Sequence, residues 1–351
     1  MVYIENKTKK AIISSKEEAL KALKKDCRPL QYATEELKNN KELVLLSVAQ
    51  YEEALKDASR DLKNDMGFIL QVLRVNRWAM KFVLDELKDN RQFMLEVVKM
   101  NGTTNSFAYA SDRLINDAQF MLEVLKTPPN GSSAAVYFPY TLRSKKEFIL
   151  EVVQQVAGWI LAYASEELRK DREIVIEAVK RDGIALDYAF KDLKEDKKIV
   201  LEAVKMNGKA LEYASRKLKS DKTVVVEAVK QDGMALKYAS GKLKKDKTVV
   251  VEAVKQDGMA LEFAKPKLKR DKEVVTEAVK NSGKALQFAS NEVRNDKEVV
   301  LEAIEQDNNA LKFASNEVKT ELLLEKAEFV NALEYASDVR NLRLLLGRTF
   351  I

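Results

Sequence analysis

The sequence predicts an all-α fold, an alpha-solenoid of about thirteen tandem antiparallel helix pairs of roughly 25 residues each. Three observations carry that reading. Residues 221–245 (DKTVVVEAVKQDGMALKYASGKLKK) and 246–270 (DKTVVVEAVKQDGMALEFAKPKLKR) are nearly identical, and equivalent units begin at Asp171, Asp196, Asp271 and Asp296. Apolar residues within each unit recur at helical spacing. The composition, 33% charged with only 11 Gly and 5 Pro in 351 residues, suits extended helical assemblies and leaves few helix breakers. A chain this long exceeds one ordinary compact core, but stacked repeats escape that limit because each packs only on its neighbours.

The unit at Asp221 justifies the elements in order. Asp221 is an N-cap, since its carboxylate can accept from the open amides of the first turn. Val224, Val225, Ala228 and Val229 then cover one side of a helix, widened by Val226, with Glu227 and Lys230 opposite. Gln231-Asp232-Gly233 is expected to stop this helix, with Gly233 in the left-handed conformation that ends helices cheaply. Gly183, Gly208, Gly258 and Gly283 hold the same place, and Asn308 substitutes once. A second helix is expected from about Met234, with Ala235, Leu236, Ala239 and Leu243 as its inner stripe. Both connections are short, so consecutive helices should be antiparallel neighbours. Helices this short need stacking to be stable.

Weaker units extend toward the N-terminus, near Ser15, Asn40, Asp65, Asn90, Asp117 and Lys145, and a shortened one begins at Glu321. The expected organisation is a single array: an N-terminal capping unit (1–39), divergent repeats (40–170), regular repeats (171–320) and a C-terminal cap (321–351). Two places break the pattern. After the Asp117 helix, Thr127-Pro128-Pro129-Asn130-Gly131-Ser132-Ser133 cannot be helical throughout. This marks a candidate recognition loop of Pro128, Pro129 and Asn130 with Tyr137, Phe138 and Tyr140 behind it, or a tolerated insertion. Pro266 falls inside an expected second helix and should shorten or kink it.

Much chemistry is excluded by composition. Histidine is absent, which removes the side chain best suited to proton transfer near neutral pH and the commonest zinc ligand. The one cysteine, Cys27, permits no intramolecular disulfide and reads as a small buried residue. No glycine-rich phosphate loop, Gly-x-Ser-x-Gly elbow or calcium-loop spacing occurs. We therefore expect no enzyme, no catalytic, cofactor-binding or metal site, and no small-molecule substrate. No apolar run resembles a signal peptide or approaches the roughly 20 residues needed to span a bilayer. A cytoplasmic location is expected, or translocation into a host cell without a signal peptide.

The recurring DKxVVxEAVKxxGxALxYAS signature resembles a family known only as a domain of unknown function (number 4116), best between Asp171 and Ser315 with degenerate versions over most of the rest. The resemblance implies tandem repeats without an established activity. It also implies an association with intracellular bacteria and protists, sometimes as accessory parts of injected effectors. The run Glu317, Glu321, Glu325 and Glu328 is similar to the glutamate-rich stretch of type IV secretion signals, and equally to a solvated helix face.

Stacking turns each motif position into a row. The aromatic row (Tyr163, Tyr188, Tyr213, Tyr238, Phe263, Phe288, Phe313) could stack bases or clasp a peptide, but its free exchange of Tyr for Phe reads as core. The acidic row (Glu177, Glu202, Glu227, Glu252, Glu277, Glu302) is followed three residues later by lysine in five units, as in ordinary intrahelical pairs. Charge is uneven: residues 196–270 hold 19 Lys/Arg against 10 Asp/Glu, a net of +9, while the whole chain is only +6. The excess gathers at Lys217, Lys219, Lys242, Lys244, Lys245, Lys267, Lys269 and Arg270, a candidate partner-binding basic edge. The expected function is a non-enzymatic scaffold binding another protein, such as a bacterial effector acting on a host protein. The alternative is a binder of anionic partners, nucleic acid or an acidic membrane surface, through this edge.

Overall fold

The computed structural model describes residues 12–25, 28–100, 107–128 and 131–326. These form an all-α repeat solenoid; among them there is no strand, only one isolated bridge between Ile13 and Ala33. The chain divides into two compact units, residues 1–156 with 163–165 and residues 157–162 with 166–351. Cys27, Pro129, Asn130, Glu328 and most of the expected C-terminal cap lie outside the described residues.

In the second unit the first helices of successive repeats, such as Lys197–Met206, Lys222–Gln231, Lys247–Gln256 and Lys272–Asn281, pack each on the next. The expected caps are in place: Asp221 Oδ1 accepts from Thr223 N at 3.0 Å and from Val224 N at 3.3 Å. Val224, Val225, Ala228 and Val229 are fully buried, as are Ala235 and Leu236.

The second element differs from expectation. It is a 3-10 helix, Gly233–Tyr238, followed by an extended Ala239 (φ −64°, ψ 154°) and then a separate one-turn element, Leu243–Lys245. In other units the serine of the Ala-Ser dipeptide caps the equivalent turn, Ser215 and Ser290 accepting from Leu218 N and Val293 N, whereas the Ser240 hydroxyl is buried without a partner. Pro266 consequently kinks nothing. It is the first residue of the short helix Pro266–Lys269, where its missing N–H has no partner to lose.

Gly233 also has a different role from the one expected. The helix ends at an extended Asp232 (φ −148°, ψ 107°) whose side chain accepts from Met234 N at 2.9 Å, and Gly233 is not left-handed. Glycine is required there because the next repeat touches it: a Cβ on Gly233 would lie 2.4 Å from the Ala253 carbonyl oxygen. A Cβ on Gly158, Gly183, Gly208, Gly258 or Gly283 would likewise lie 2.2–2.4 Å from the corresponding alanine carbonyl oxygen. Asn308, in the last complete repeat described, is exposed, so a side chain is tolerated.

Two further ladders tie each repeat to the next. The N–H of Ser240 donates to Lys219 O at 2.9 Å, and Ser215, Lys265, Ser290 and Ser315 repeat the bond at 2.9–3.0 Å. The lysine after each cap reaches the following cap: Lys197–Asp221 (2.6 Å), Lys222–Asp246 (2.7 Å), Lys247–Asp271 (2.8 Å) and Lys272–Asp296 (2.8 Å), with Arg172–Asp196 in the same register. Asp221 and Asp246 thus serve their own helices with one oxygen and the preceding repeat with the other, while Lys247 reaches both oxygens of Asp271.

The first unit uses the same plan with different filling. Ser15, Asn40, Asp65, Asn90 and Asp117 cap their helices through the side chain, as their positions predicted; Lys145 sits at a cap position without a side-chain bond. Phe68, Phe93, Phe120 and Phe148 stand where Val224 stands in its repeat and are buried. Glu52 and Arg77 occupy the glycine position, so the close backbone approach of the second unit is not built into these repeats.

Candidate functional site

The basic edge divides into two kinds of lysine. Lys217, Lys242, Lys245, Lys267 and Arg270 are exposed, and none makes an ion pair with a carboxylate. Lys219, Lys244 and Lys269 are half-buried instead, which corrects their assignment to a freely projecting edge. Lys219 Nζ donates to Glu212 O and Lys244 Nζ to Lys237 O, both at 2.6 Å. Lys269 Nζ lies 5.9 Å from the centre of the Phe288 ring of the next repeat. Burial pushes all three ammonium groups below the ordinary lysine pKa, with Arg216 adding to the effect at Lys219 and Lys265 at Lys244. Lys219 and Lys244 thus place their charged heads on carbonyls of their own repeats, and Lys269 places its head near a ring of the next.

Arg216, which sequence reasoning passed over, is exposed and joins the edge beside Lys217. The edge therefore carries two exposed cations in each of three successive repeats: Arg216 and Lys217, Lys242 and Lys245, Lys267 and Arg270. In the flanking repeats, Asp192 and Glu195 on one side and Glu292 and Asn295 on the other stand where Lys242 and Lys245 stand, while Lys191 and Asn291 hold the place of Arg216.

Among its described residues, the candidate loop follows the repeat plan rather than forming a separate element. Residues Gly131–Tyr137 form the 3-10 helix expected at this place in a repeat, packed on the helix Ala118–Lys126. Phe138 is buried against Phe148 and Tyr163, with ring centres 5.2 and 6.3 Å apart, and Tyr137 leans on Phe107 at 5.7 Å. Among the described candidates Pro128 and Tyr140, the latter 73% exposed, are exposed, and Tyr137 is half-buried. Phe138 reads as core once its place before the short helix Tyr140–Arg143 is known, because Ala239 and its counterparts are buried in the same position.

The aromatic row is half-buried along its length. Tyr238 bonds to Glu212 of the preceding repeat, which with burial raises its phenol pKa; burial, with nearby Asp187, does the same for Tyr213. Of the acidic-row pairs, Glu177–Lys180 (2.8 Å) and Glu202–Lys205 (3.4 Å) form, and the next three do not. Glu321 and Glu325 both pair with Lys297.

Two surface features were not foreseen. Ile176, Leu201, Val226 and Val251 form a half-exposed aliphatic row at one register of the first helices; Thr276 interrupts it, and Leu301, 42% exposed, follows. In the first unit, Trp78 is 57% exposed beside an open cleft of about 620 Å³ shared with Arg74, Val75 and Arg77. No motif in the residues around Trp78 could have announced it. Among the described residues no group of acidic or cysteine side chains could hold a metal ion, and no helix is long and apolar enough to cross a membrane.

Fold and surface together define a tandem helical-repeat protein whose distinctive chemistry lies in register-aligned rows. The model of the domain of unknown function DUF4116 matches it at residues 15–63, 40–88, 65–115, 90–143, 145–194, 196–242, 221–269 and 271–319. The chain belongs to that family. No curated protein and no solved structure matches it.

Proposed function

We propose that the chain is a non-enzymatic interaction scaffold that binds another protein along its repeat surface. The observation that carries this reading is the aliphatic row Ile176, Leu201, Val226 and Val251, half-exposed at one register between charged residues. Each repeat adds one more copy of the same contact, which favours a long partner segment over a small ligand. Aliphatic side chains offered in line supply burial, and the flanking charges supply orientation. The test is affinity capture with the full chain and with a Leu201→Lys/Val226→Lys variant. A partner retained stoichiometrically by the first and lost by the second supports the proposal; equal retention by both removes it.

A second reading is favoured by one observation, the unpaired exposed cations of the basic edge. These would attract nucleic acid or an acidic membrane surface as well as an acidic protein. Retention on heparin that collapses as salt rises would support it.

A further inference from the structure

We propose that the six exposed cations of the basic edge form a docking ribbon for an acidic α-helix of a protein partner, one that presents two carboxylates per heptad over three heptads. The inference deepens the scaffold reading and names a second surface for it. Arg216 and Lys217, Lys242 and Lys245, and Lys267 and Arg270 occupy the same turn in three consecutive repeats, all exposed. They lack the ion pairs that occupy the lysines at the caps, such as Lys197, Lys222 and Lys247. The half-buried Lys219, Lys244 and Lys269 lie beside them, already bound to carbonyls or resting on an aromatic ring. Acidic side chains bracket the ribbon, Asp192 and Glu195 before it and Glu292 after it. Exposed Lys191, equivalent to Arg216, stands alone beside Asp192 and Glu195, so paired cations run through three repeats.

Spacing selects the occupant. Stacked helices repeat at roughly 10 Å. Seven residues of α-helix rise about 10.5 Å. A helix with carboxylates at i and i+3 or i+4 of each heptad thus meets each pair of cations with one pair of its own. Duplex nucleic acid matches less well, because it carries one charge per ~1.7 Å of axis and would leave about two thirds of its phosphates over the ribbon unneutralised. Base stacking has nothing to use, since Tyr213, Tyr238 and Phe263 are half-buried in the joins. A membrane surface lacks an anchor: among the described residues between Met206 and Leu301 no large apolar side chain is exposed.

The experiment uses the full chain and a labelled three-heptad peptide with glutamate pairs along one helical face, read by fluorescence anisotropy. The comparison probes are a peptide of the same composition with the pairs scattered, duplex DNA, and phosphatidylserine vesicles. At about 50 mM salt the striped peptide should bind about tenfold or more tighter than the scattered one, and weaken sharply as salt screens the charges. Lys242→Glu/Lys245→Glu/Lys267→Glu should lower its affinity about tenfold or more. Lys230→Glu/Lys255→Glu/Lys280→Glu, an equal change of net charge on the first-helix face, should not. Circular dichroism checks that both variants keep the fold. Equal binding of the two peptides, equal loss in the two variants, or tighter binding of DNA or vesicles through Lys242, Lys245 and Lys267 would each overturn the inference. If the peptide fails while a partner is still captured through Leu201 and Val226, only the ribbon falls. If the peptide binds but no partner depends on Leu201 and Val226, the ribbon stands without the aliphatic row.

Discussion

Replacing Gly233 with alanine should destabilise the stack far more than one methyl group ordinarily does. The new Cβ would lie 2.4 Å from Ala253 O, 2.9 Å from Asp257 N and 2.9 Å from Gln256 Oε1, where contacts under 3.0 Å are essentially never tolerated. Gln256 can swing aside; Ala253 O and Asp257 N belong to the backbone of the next repeat's helix and its end, so relief requires the repeats to part. Overpacking of this kind costs about 1–3 kcal/mol. Alanine also reduces the freedom of the unfolded chain, which offsets about 0.4–1 kcal/mol. Gly241→Ala isolates that second effect, because its Cβ would meet only Lys265 Cε at 3.9 Å. The two variants add the same methyl group, yet urea unfolding followed by far-UV circular dichroism should separate them by about 2 kcal/mol. A Gly233→Ala midpoint equal to or above that of Gly241→Ala would refute close backbone approach as the reason for the glycine row.

Other outcomes follow from the same contacts. The Asp246 carboxyl is held down to about 2, from 3.8, chiefly by Lys222. Its contribution to stability should be complete above the unfolded value and fade as pH falls from about 4 through about 2, and Asp246→Asn should flatten that part of the acid-unfolding curve. Lys244→Ala should cost about 1 kcal/mol through lost stem packing, and Lys245→Ala under about 0.5 kcal/mol, by the same unfolding assay. Phe138→Ala should cost about 3–5 kcal/mol, whereas Tyr140→Ala should be close to neutral; similar melting points for the two would contradict the packing described.

Where the sequence was legible, one residue's role was decided locally. Asp221 as a cap, Val224 and Val229 as core, and the 25-residue period required only helical geometry and side-chain chemistry. The second element was harder because Ala235, Leu236, Ala239 and Leu243 keep a spacing that a continuous helix would also have. The recurring serine before the last turn was the available signal, and Pro266 after Lys265 pointed the same way. Lys219, Lys244 and Lys269 looked like their exposed neighbours because burial of a lysine stem depends on which carbonyl lies beneath it. The cap-to-cap ion pairs join residues 24 apart, so they become visible only when the stacking register is known. For the same reason only five of the eight proposed edge residues project freely, and Arg216 was overlooked.

The bonds between repeats have a consequence for length. Lys197 reaches Asp221, Ser240 reaches Lys219, and Gly233 meets Ala253, each link running between one unit and its neighbour. Excising residues 222–246 would place Asp221 directly before Lys247, and every one of these links would re-form with new partners of the same kind. A cut one residue shorter or longer would turn each following side chain by about 100° around its helix and break all of them at the seam. Length in this region is therefore an integer quantity. Whole units can be gained or lost, as the near-identity of residues 221–245 and 246–270 illustrates, while fractions of a unit cannot.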